Sequence, residues 1–320
     1  MQREQERALG ERQPIGVISI GSNDIHLLVA ASDGTTTFEK KVNQSMLAEL
    51  IGDVNDGVVP IKALYRALKD LATLVSAARK AETATIIAIA TQEMREVTNG
   101  PDIIDLVGST LHIQAMLITS QEEAALDYCW ATFPPVLQNP LLVVDSGGGS
   151  TQVIQGEGPT PAFAQSLPIG AGNLTQQFLK HDPPTKKEIQ SLQAHIAAQV
   201  DSLPIVLPLR SAILMGGSAD TLLQFVADPT KQIVTHADLQ RALHTLCKKS
   251  AKEIAHTHHL LVERARLLPA GVMILTHMLS RYGLDEAYIK ADGIRGGLVV
   301  SYARHGENWR QELPLPPASE

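Results

Sequence analysis

Two segments of this chain repeat one pattern at a distance of 126 residues (144 − 18). Residues 18–30 (ISIGSNDIHLLVA) align with residues 144–156 (VDSGGGSTQVIQG). In each, an apolar run ends in a glycine-containing turn and a second run follows, which is the pattern of a β-hairpin. Alternating helix and strand patterns follow both copies, so the chain predicts a duplicated α/β domain. Two such domains are expected to face each other across a central cleft, with the turns aimed into it.

Hydrophobic periodicity predicts the remaining elements of each copy. In the first half we expect strands over 15–20, 25–31, 35–42, 84–90 and 112–118, and helices over 64–78, 103–107 and 121–131. In the second half we expect strands over 141–145, 151–155, 162–167, 212–215 and 287–291, and helices over 189–203, 239–246, 270–282 and 293–304. Capping-box sequences at Thr185 and Thr235 indicate where two of these helices begin.

The composition limits the partners of the chain. It has 320 residues, with 27 Lys+Arg against 34 Asp+Glu, and a net charge of −7. An acidic chain with 4% aromatic residues lacks the basic stripe and stacking surface of a nucleic-acid groove, so we expect no DNA partner. No stretch approaches the ~20 apolar residues of a membrane span. The polar start is no signal peptide, and Cys129 and Cys247 match no metal or redox spacing. We therefore expect a cytoplasmic protein.

The two turns have the chemistry of a phosphate site. Glycines let backbone N–H groups converge on an anion, and Ser22, Ser150 and Thr151 add hydroxyl donors. Asp145, at the end of a strand just before its turn, is suited to hold Mg²⁺ against bound phosphates. One glycine turn is more often a plain hairpin. Two turns at matched positions favour a clamp on a phosphate chain.

Seven motifs in order strengthen this interpretation. They are IGSNDIHLLVA (20–30), ATQEMREVTNGPD (90–102), ITSQEEAALDY (118–128), VVDSGGGSTQVI (143–154), SLPIGAGNLTQQFL (166–179), GGSADTL (216–222) and RARLLPAGVMIL (264–275). Over about residues 14–304 the chain resembles the exopolyphosphatase / guanosine pentaphosphate phosphatase (Ppx/GppA) family, in its short form without the C-terminal helical domain. The resemblance implies the actin-like ATPase / sugar-kinase (ribonuclease H-like) fold. It also implies a division into a disordered tail (1–13), domain I (14–132 plus 296–312) and domain II (133–295).

The family resemblance implies a hydrolase that removes terminal phosphate from inorganic polyphosphate, guanosine pentaphosphate or both, with a link to the stringent response. Its ligands would be polyphosphate or guanosine penta- and tetraphosphate, and its cofactor Mg²⁺ or another divalent cation. The sequence leaves the substrate preference and a homodimer open. One alternative is a catalytically weakened regulator that binds the alarmone or polyphosphate without turnover. Another is an ATP-dependent kinase of the same fold.

Carried over motif by motif, the resemblance assigns the site. Glu123 would be the base that activates water, Arg95 would hold phosphate oxygens, and Asp145 would hold the metal. Glu122 is interpreted as a solvated helix residue. The phosphate cradle would consist of Gly147, Gly148, Gly149, Ser150 and Thr151, with Gly21, Ser22 and Asn23 opposite.

Several positions depart from the family pattern. The usual first turn is Asp-Ile-Gly-Ser-Asn-Ser, whereas this chain has Ser19 at the first position and Asp24 at the last. The internal repeat shows the same difference, because Ser19 aligns with Asp145 and Asp24 with Ser150. A carboxylate beside a phosphate is repulsive, so Asp24 must point away, meet a metal or weaken binding. Further departures are Ser120 for glycine, Ala125 for arginine and Gly296 for glutamate.

Two further sequence features are given plainer interpretations. His256, His258 and His259 form a local cluster, which we interpret as a polar helix end rather than a metal site because no further ligand lies at a suitable spacing. Gly216-Gly217-Ser218 either holds an adenosine, as in actin-like kinases, or forms a tight strand-to-helix turn, which is the favoured interpretation.

Overall fold

The chain divides into two compact units. The computed structural model describes residues 13–21, 24–47, 54, 56–134, 140–226 and 228–317. The first unit comprises Met1–Leu137 and Ile294–Leu315, and the second comprises Gln138–Gly293 and Pro316–Glu320. Apart from its last residue, the tail predicted over 1–13 lies outside the described residues.

The first unit is built on a mixed sheet with the strand order β3-β2-β1-β4-β5. Strands β1 to β3 form an antiparallel meander, and β4 pairs in parallel with both β1 and β5. Every residue of β1 and β4 is buried, as expected of central strands covered on both faces. The strands are β1 Ile15–Ile20, β2 Asp24–Ser32, β3 Phe38–Leu47, β4 Ile86–Ala90 and β5 Gln114–Leu117.

The second unit repeats this arrangement with one extra strand, in the order β10-β11-β9-β6-β7-β8. The meander β6 to β8 is again antiparallel, and β9 pairs in parallel with β6 and β11. The duplication inferred from the sequence is therefore present in both sheets. The strands are β6 Leu141–Ser146, β7 Thr151–Glu157, β8 Thr160–Leu167, β9 Ser211–Met215, β10 Ile233–Thr235 and β11 Glu286–Ile289.

Helices connect the strands and cover the sheets. They are α1 Ile61–Lys80, α2 Gln92–Glu96, α3 Gly100–Leu111, α4 Ser120–Ala131, α5 Ala171–Phe178, α6 Lys186–Val200, α7 Gly217–Leu222, α8 His236–Leu246, α9 Ala251–His258, α10 Val262–Tyr282 and α11 Gly293–His305. In the first unit, α1, α2 and α3 form a core with one face of the sheet, while α4 and α11 form a second core with the other face. The capping boxes predicted at Thr185 and Thr235 are formed.

One difference from the predicted elements concerns α10, and the helices α5 and α9 were not predicted at all. We expected a helix over residues 270–282, and a proline such as Pro269 normally ends or kinks a helix. The helix instead begins at Val262 and contains Pro269. Most of its residues from Ala265 onward are buried in the core of the second unit, so tertiary packing outweighs the local cost of the proline. Among the described residues, no helix combines the length and apolar character needed to span a membrane.

Candidate functional site

The glycine turn of the second unit joins β6 to β7 and has an asymmetric set of hydrogen bonds. The carbonyls of Gly147 and Gly148 accept backbone N–H groups from the first turn of α5 at 2.8 to 3.0 Å. The carbonyl of Gly149 accepts the Asn173 side-chain amide at 2.8 Å. Within the described part of the chain, the backbone N–H groups of Gly148, Gly149 and Ser150 make no hydrogen bond. Successive unpaired N–H groups are the donors of a backbone anion site.

Two glycines outside the turn allow other backbone segments to approach it. A Cβ atom on Gly170 would lie 2.4 Å from the Gly148 carbonyl oxygen, so only glycine allows α5 to start against the turn. Gly216 follows β9 with a φ of +94°, and a Cβ there would lie 2.2 Å from the Ser146 carbonyl oxygen. Gly216 leads directly into α7, which agrees with the strand-to-helix turn favoured from the sequence.

The hydroxyls that follow the glycines differ in availability. Ser150 Oγ accepts from Gln152 Nε2 at 3.2 Å and keeps its own hydrogen for donation. Thr151 is fully buried, and its hydroxyl donates to the Ile169 carbonyl at 2.6 Å. The Thr151 side chain therefore helps to hold the hairpin, and its predicted phosphate contact stays a prediction.

Asp145 lies one residue before the end of β6 and is half-buried. The parallel strand beside it, β9, ends at Met215, opposite Asp145. A Cβ on Gly216 would lie 2.9 Å from Asp145 Oδ1, so the glycine leaves room beside the carboxylate. Within the described residues, no group of three or more His, Cys, Asp or Glu could hold a metal ion. A single carboxylate with space beside it is a group that could hold Mg²⁺ together with phosphate oxygens.

In the first unit, Arg95 and Glu123 are brought together at the start of α4. Arg95 Nη2 lies 2.9 Å from Ser120 Oγ and 3.5 Å from Glu123 Oε2, and Arg95 Nη1 donates to the Ile118 carbonyl. The Glu123 side chain is 9% exposed and that of Arg95 22%. The Glu123 amide donates to the Thr119 carbonyl at 2.9 Å, which places the Glu123 backbone in the first turn of the helix.

The interpretation of Glu122 as a solvated residue is wrong. Glu122 is 8% exposed and forms an ion pair with Arg310, from Nε to Oε1 at 2.5 Å. Its carboxylate also accepts the Thr119 backbone N–H at 2.7 Å, which completes a capping box. Burial acts to raise the pKa of Glu122, but the hydrogen bonds from Arg310 and Thr119 outweigh it and hold the pKa below its usual value. Arg310 is 188 residues away in sequence, so helix periodicity gave no sign of it.

The first turn of the first unit has a cationic partner in place of the aspartate. Ser19 is 6% exposed, and its Oγ accepts from Arg295 Nη1 at 2.9 Å. The Gly21 amide donates to the Asp24 carbonyl at 3.1 Å, as the Gly147 amide does to the Ser150 carbonyl in the other hairpin. The predicted site residues Ser22 and Asn23 lie outside the described residues.

Asp24 begins β2, and its Oδ2 lies 3.8 Å from Nε2 of His26, two residues on along the strand. Both side chains are half-buried. His26 is paired with Ser19 across the β1–β2 ladder, so Asp24, His26 and Ser19 share one face of the sheet. A histidine beside this carboxylate offsets its charge when protonated.

Two other departures from the family pattern have a packing explanation. A Cβ on Gly296 would lie 2.4 Å from the Trp130 ring, so a larger side chain does not fit without moving the indole. Ala125 is completely buried in the core between α4 and α11. The third departure, Ser120, provides the hydroxyl that contacts Arg95.

Sequence reasoning missed Ser120, Asn173, Gly170 and Arg310 as parts of these sites. A glycine that precedes a helix and follows a strand is a signal that could have identified Gly170. Asn173, three residues later, caps α5 by accepting the Gly170 amide at 2.8 Å. His256 and His258 lie in the last turn of α9 and His259 at its C-cap, which agrees with the polar helix end.

These features define a protein with a duplicated α/β fold, in which one unit carries backbone N–H donors suited to an anion and the other carries a paired arginine and glutamate. Comparison with known proteins agrees with this class. The chain matches the Ppx/GppA phosphatase family over residues 29–305 and belongs to that family. A crystal structure of the Aquifex aeolicus family member has a TM-score of 0.79 at 23% identity, over 92% of this chain and 99% of that one. This similarity shows that the chain has the fold of that family member, which agrees with the predicted duplicated α/β class.

Two relatives represent the two activities for which the family is named. Exopolyphosphatase 1 of Mycobacterium leprae is 22% identical over 89% of this chain and 88% of its own length. The guanosine-5'-triphosphate,3'-diphosphate pyrophosphatase of Vibrio campbellii is 25% identical over 88% of this chain. The chain spans 58% of the length of that pyrophosphatase.

Proposed function

We propose that this protein is a phosphoanhydride hydrolase that removes terminal phosphate from inorganic polyphosphate, guanosine pentaphosphate or both. The observation that carries the proposal is the row of three N–H donors at Gly148, Gly149 and Ser150, which make no hydrogen bond to the described residues and lie three to five residues after Asp145. Backbone donors and one carboxylate are the groups that a metal-bound phosphate chain needs. Membership of a phosphatase family supports the reaction class.

In this proposal, the glycine turn orients the substrate. The N–H groups of Gly148, Gly149 and Ser150 donate to phosphate oxygens, and the Ser150 hydroxyl adds a fourth donor. These donors are held by the hydrogen bonds of the turn carbonyls to α5, so they need no reorganisation when substrate arrives. Asp145 would hold Mg²⁺, which when bound supplies charge neutralisation to the phosphate oxygens.

Glu123 would activate the water. Its carboxylate accepts a proton as the water oxygen forms a bond to the terminal phosphorus and the bond from phosphorus to the bridging oxygen breaks. Inorganic phosphate leaves, and the remaining chain is one phosphate shorter. The Arg95 guanidinium carries hydrogen-bond donors in a planar fork, which suits phosphate oxygens. Its contact with Glu123 links phosphate binding to the orientation of the base.

Phosphate release from a panel of substrates tests the proposal. The panel holds short and long polyphosphate, guanosine pentaphosphate, guanosine tetraphosphate and ATP, each with Mg²⁺. We expect release from polyphosphate, pentaphosphate or both, and little from ATP. Tight binding without release would contradict the proposal and support a regulator, although the comparisons do not favour one. ATP-dependent phosphorylation of an acceptor would support a kinase.

A further inference from the structure

Two arginines bind the segment that leads into α4. Each contacts one backbone carbonyl before the helix and one carboxylate in its first turn. Arg310 Nη2 donates to the Leu117 carbonyl at 3.0 Å, and Arg95 donates to the next carbonyl, that of Ile118. Five residues after each carbonyl, Arg310 pairs with Glu122 and Arg95 pairs with Glu123. Two consecutive carbonyls and two consecutive carboxylates are thus divided between the two guanidinium groups.

The Arg310–Glu122 contact is bidentate. Nε contacts Oε1 at 2.5 Å and Nη2 contacts Oε2 at 3.0 Å. Fork-to-fork geometry of this kind fixes direction as well as distance. Because Glu122 also accepts the Thr119 amide, Arg310 and the capping box hold the same carboxylate. The first turn of α4 is therefore fixed from outside the helix.

Arg310 is itself held firmly. It follows Trp309, which is 2% exposed and belongs to the core shared with α4 and α11. Glu307 accepts from Tyr302 Oη at 2.7 Å and from Gln114 Nε2 at 3.1 Å, which ties the segment after α11 to the edge strand β5. The guanidinium thus has a rigid base on which to act.

We propose that Arg310 is a positioning residue for the hydrolysis. Acting through Glu122 and the Leu117 carbonyl, it fixes the start of α4 and so the placement of Glu123 against Arg95. This role rests on the proposed function, in which Glu123 is the base. Among the described residues, Arg310 contacts no group assigned to substrate or metal.

Loss of Arg310 has two physical consequences. Glu122 becomes a buried carboxylate without its cationic partner, and such a group forces local rearrangement toward water. The rearrangement moves the residue next to the base, and a displacement of about 1 Å at a reacting group can cost 10²-fold in rate. Lysine keeps the charge but cannot contact Glu122 and the Leu117 carbonyl in the same fork.

The test uses full-length protein and four variants. Arg310→Met removes the fork, Arg310→Lys keeps only the charge, and Arg310→Met with Glu122→Gln also neutralises the stranded carboxylate. Gln at this position still supports a capping box. The matched control is Arg304→Met, since Arg304 is an arginine of the same unit whose Nε also donates to a backbone carbonyl, that of Gly34. Phosphate release, melting temperature and amide hydrogen exchange are measured on each.

We expect Arg310→Met to lower kcat by about tenfold or more while KM changes less than about threefold. Arg310→Lys should lie between it and wild type, and Glu122→Gln in the double variant should recover most of the loss. Arg310→Met with kcat within twofold of Arg304→Met, or a double variant with no recovery, would overturn the proposal.

If wild-type protein releases phosphate from no substrate, the proposed function fails and hydrogen exchange decides the positioning role. Faster exchange of the Glu122 and Glu123 amides in Arg310→Met than in Arg304→Met then supports it. Equal exchange in the two variants overturns it.

Discussion

Glu123 has the environment of a proton acceptor that is kept in one orientation. It is nearly buried, bound to its own helix start and 3.5 Å from a guanidinium. We expect Glu123→Gln to lower phosphate release by 10²- to 10⁴-fold, which is the usual worth of a positioned base, while substrate binding stays nearly unchanged. Single-turnover phosphate release and equilibrium binding measure the two effects. Glu96→Gln, at an exposed carboxylate on α2, is the control. A Glu123→Gln variant with more than a tenth of wild-type turnover would rule Glu123 out as the base.

Arg95 depends on the planar shape of its side chain. Its guanidinium reaches the Ile118 carbonyl, Ser120 and Glu123 together. Arg95→Lys keeps the charge and loses the fork, so we expect affinity for inorganic phosphate to fall by about tenfold, equivalent to one charge-assisted hydrogen bond. Calorimetric titration with phosphate measures it. Arg79→Lys should bind as wild type does, because the Arg79 guanidinium donates to the Leu111 carbonyl at an exposed position and is assigned to no site. Equal affinity of both variants would show that Arg95 does not contact phosphate.

Sequence motifs selected Arg95 and Glu123 as candidate site residues, and the structure places the two side chains 3.5 Å apart. It could not identify Arg310 or the buried state of Glu122, because their contact joins residues 188 positions apart. A carboxylate in the first turn of a helix has the same local pattern whether it is solvated or paired. Only the packing of the segment after α11 separates these two cases.

The glycine turn and α5 act as one element, because the turn carbonyls are the hydrogen-bond acceptors for the start of the helix. Gly170→Ala would place a Cβ 2.4 Å from the Gly148 carbonyl oxygen and push the two apart. We expect a loss of about 1–3 kcal/mol in the free energy of unfolding, typical of overpacking, together with weaker phosphate binding. Denaturant unfolding and phosphate titration measure both. The control is Gly108→Ala in α3, where the nearest atoms to the added Cβ would lie 3.4 Å away, an ordinary van der Waals contact. Unchanged phosphate affinity in Gly170→Ala would show that the glycine turn does not bind phosphate.

The start of α4 should make stability depend on pH. Burial acts to raise the pKa of Glu122, but the hydrogen bonds from Arg310 and Thr119 depress it in the folded protein. A depressed pKa contributes stability that is fully present above the unfolded value, about 4.3, and is lost as pH falls through the folded value. We therefore expect wild type to be more stable than Glu122→Gln at pH 7 and the difference to shrink below about pH 4. Urea unfolding at several pH values measures it. A difference that stays constant down to pH 3 would contradict the assignment.

The hairpins were predictable because their signal is local, whereas α10 was not. Two apolar runs joined by a glycine turn occupy about a dozen residues in each hairpin, and β1–β2 and β6–β7 follow the expected pattern. The start of α10 depends instead on the core that surrounds Leu268 and Pro269. The local helix propensity around a proline does not depend on that core, so the sequence pattern could not predict where the helix begins.

The two copies of the hairpin have kept their geometry and diverged in charge. Ser19 pairs with His26 across β1 and β2, and Asp145 pairs with Gln152 across β6 and β7. The register is the same in both, at the 126-residue offset found in the sequence. The first copy has a serine beside the Arg295 guanidinium, while the second has a carboxylate. The same position of the hairpin thus carries a carboxylate in one copy and lies beside a cation in the other.

This asymmetry predicts how Mg²⁺ dependence responds to exchanging the two residues. Asp145→Ser removes the one carboxylate assigned to the metal. The Mg²⁺ concentration needed for half-maximal phosphate release should therefore rise by about 10- to 100-fold or more, since even the loss of a residue that only supports a metal ligand costs that much in affinity. Ser19→Asp should not lower it, because Arg295 Nη1 lies 2.9 Å from Ser19 Oγ and would form an ion pair with the new carboxylate.

Ser19→Asp with Arg295→Met removes that cation and should lower the Mg²⁺ requirement below that of Ser19→Asp alone. Magnesium titrations of phosphate release compare wild type and the three variants, and melting temperatures confirm that each is folded. If Ser19→Asp by itself lowers the Mg²⁺ requirement several-fold, the new carboxylate reaches the metal despite Arg295, and the charge difference between the hairpins does not determine where the metal binds.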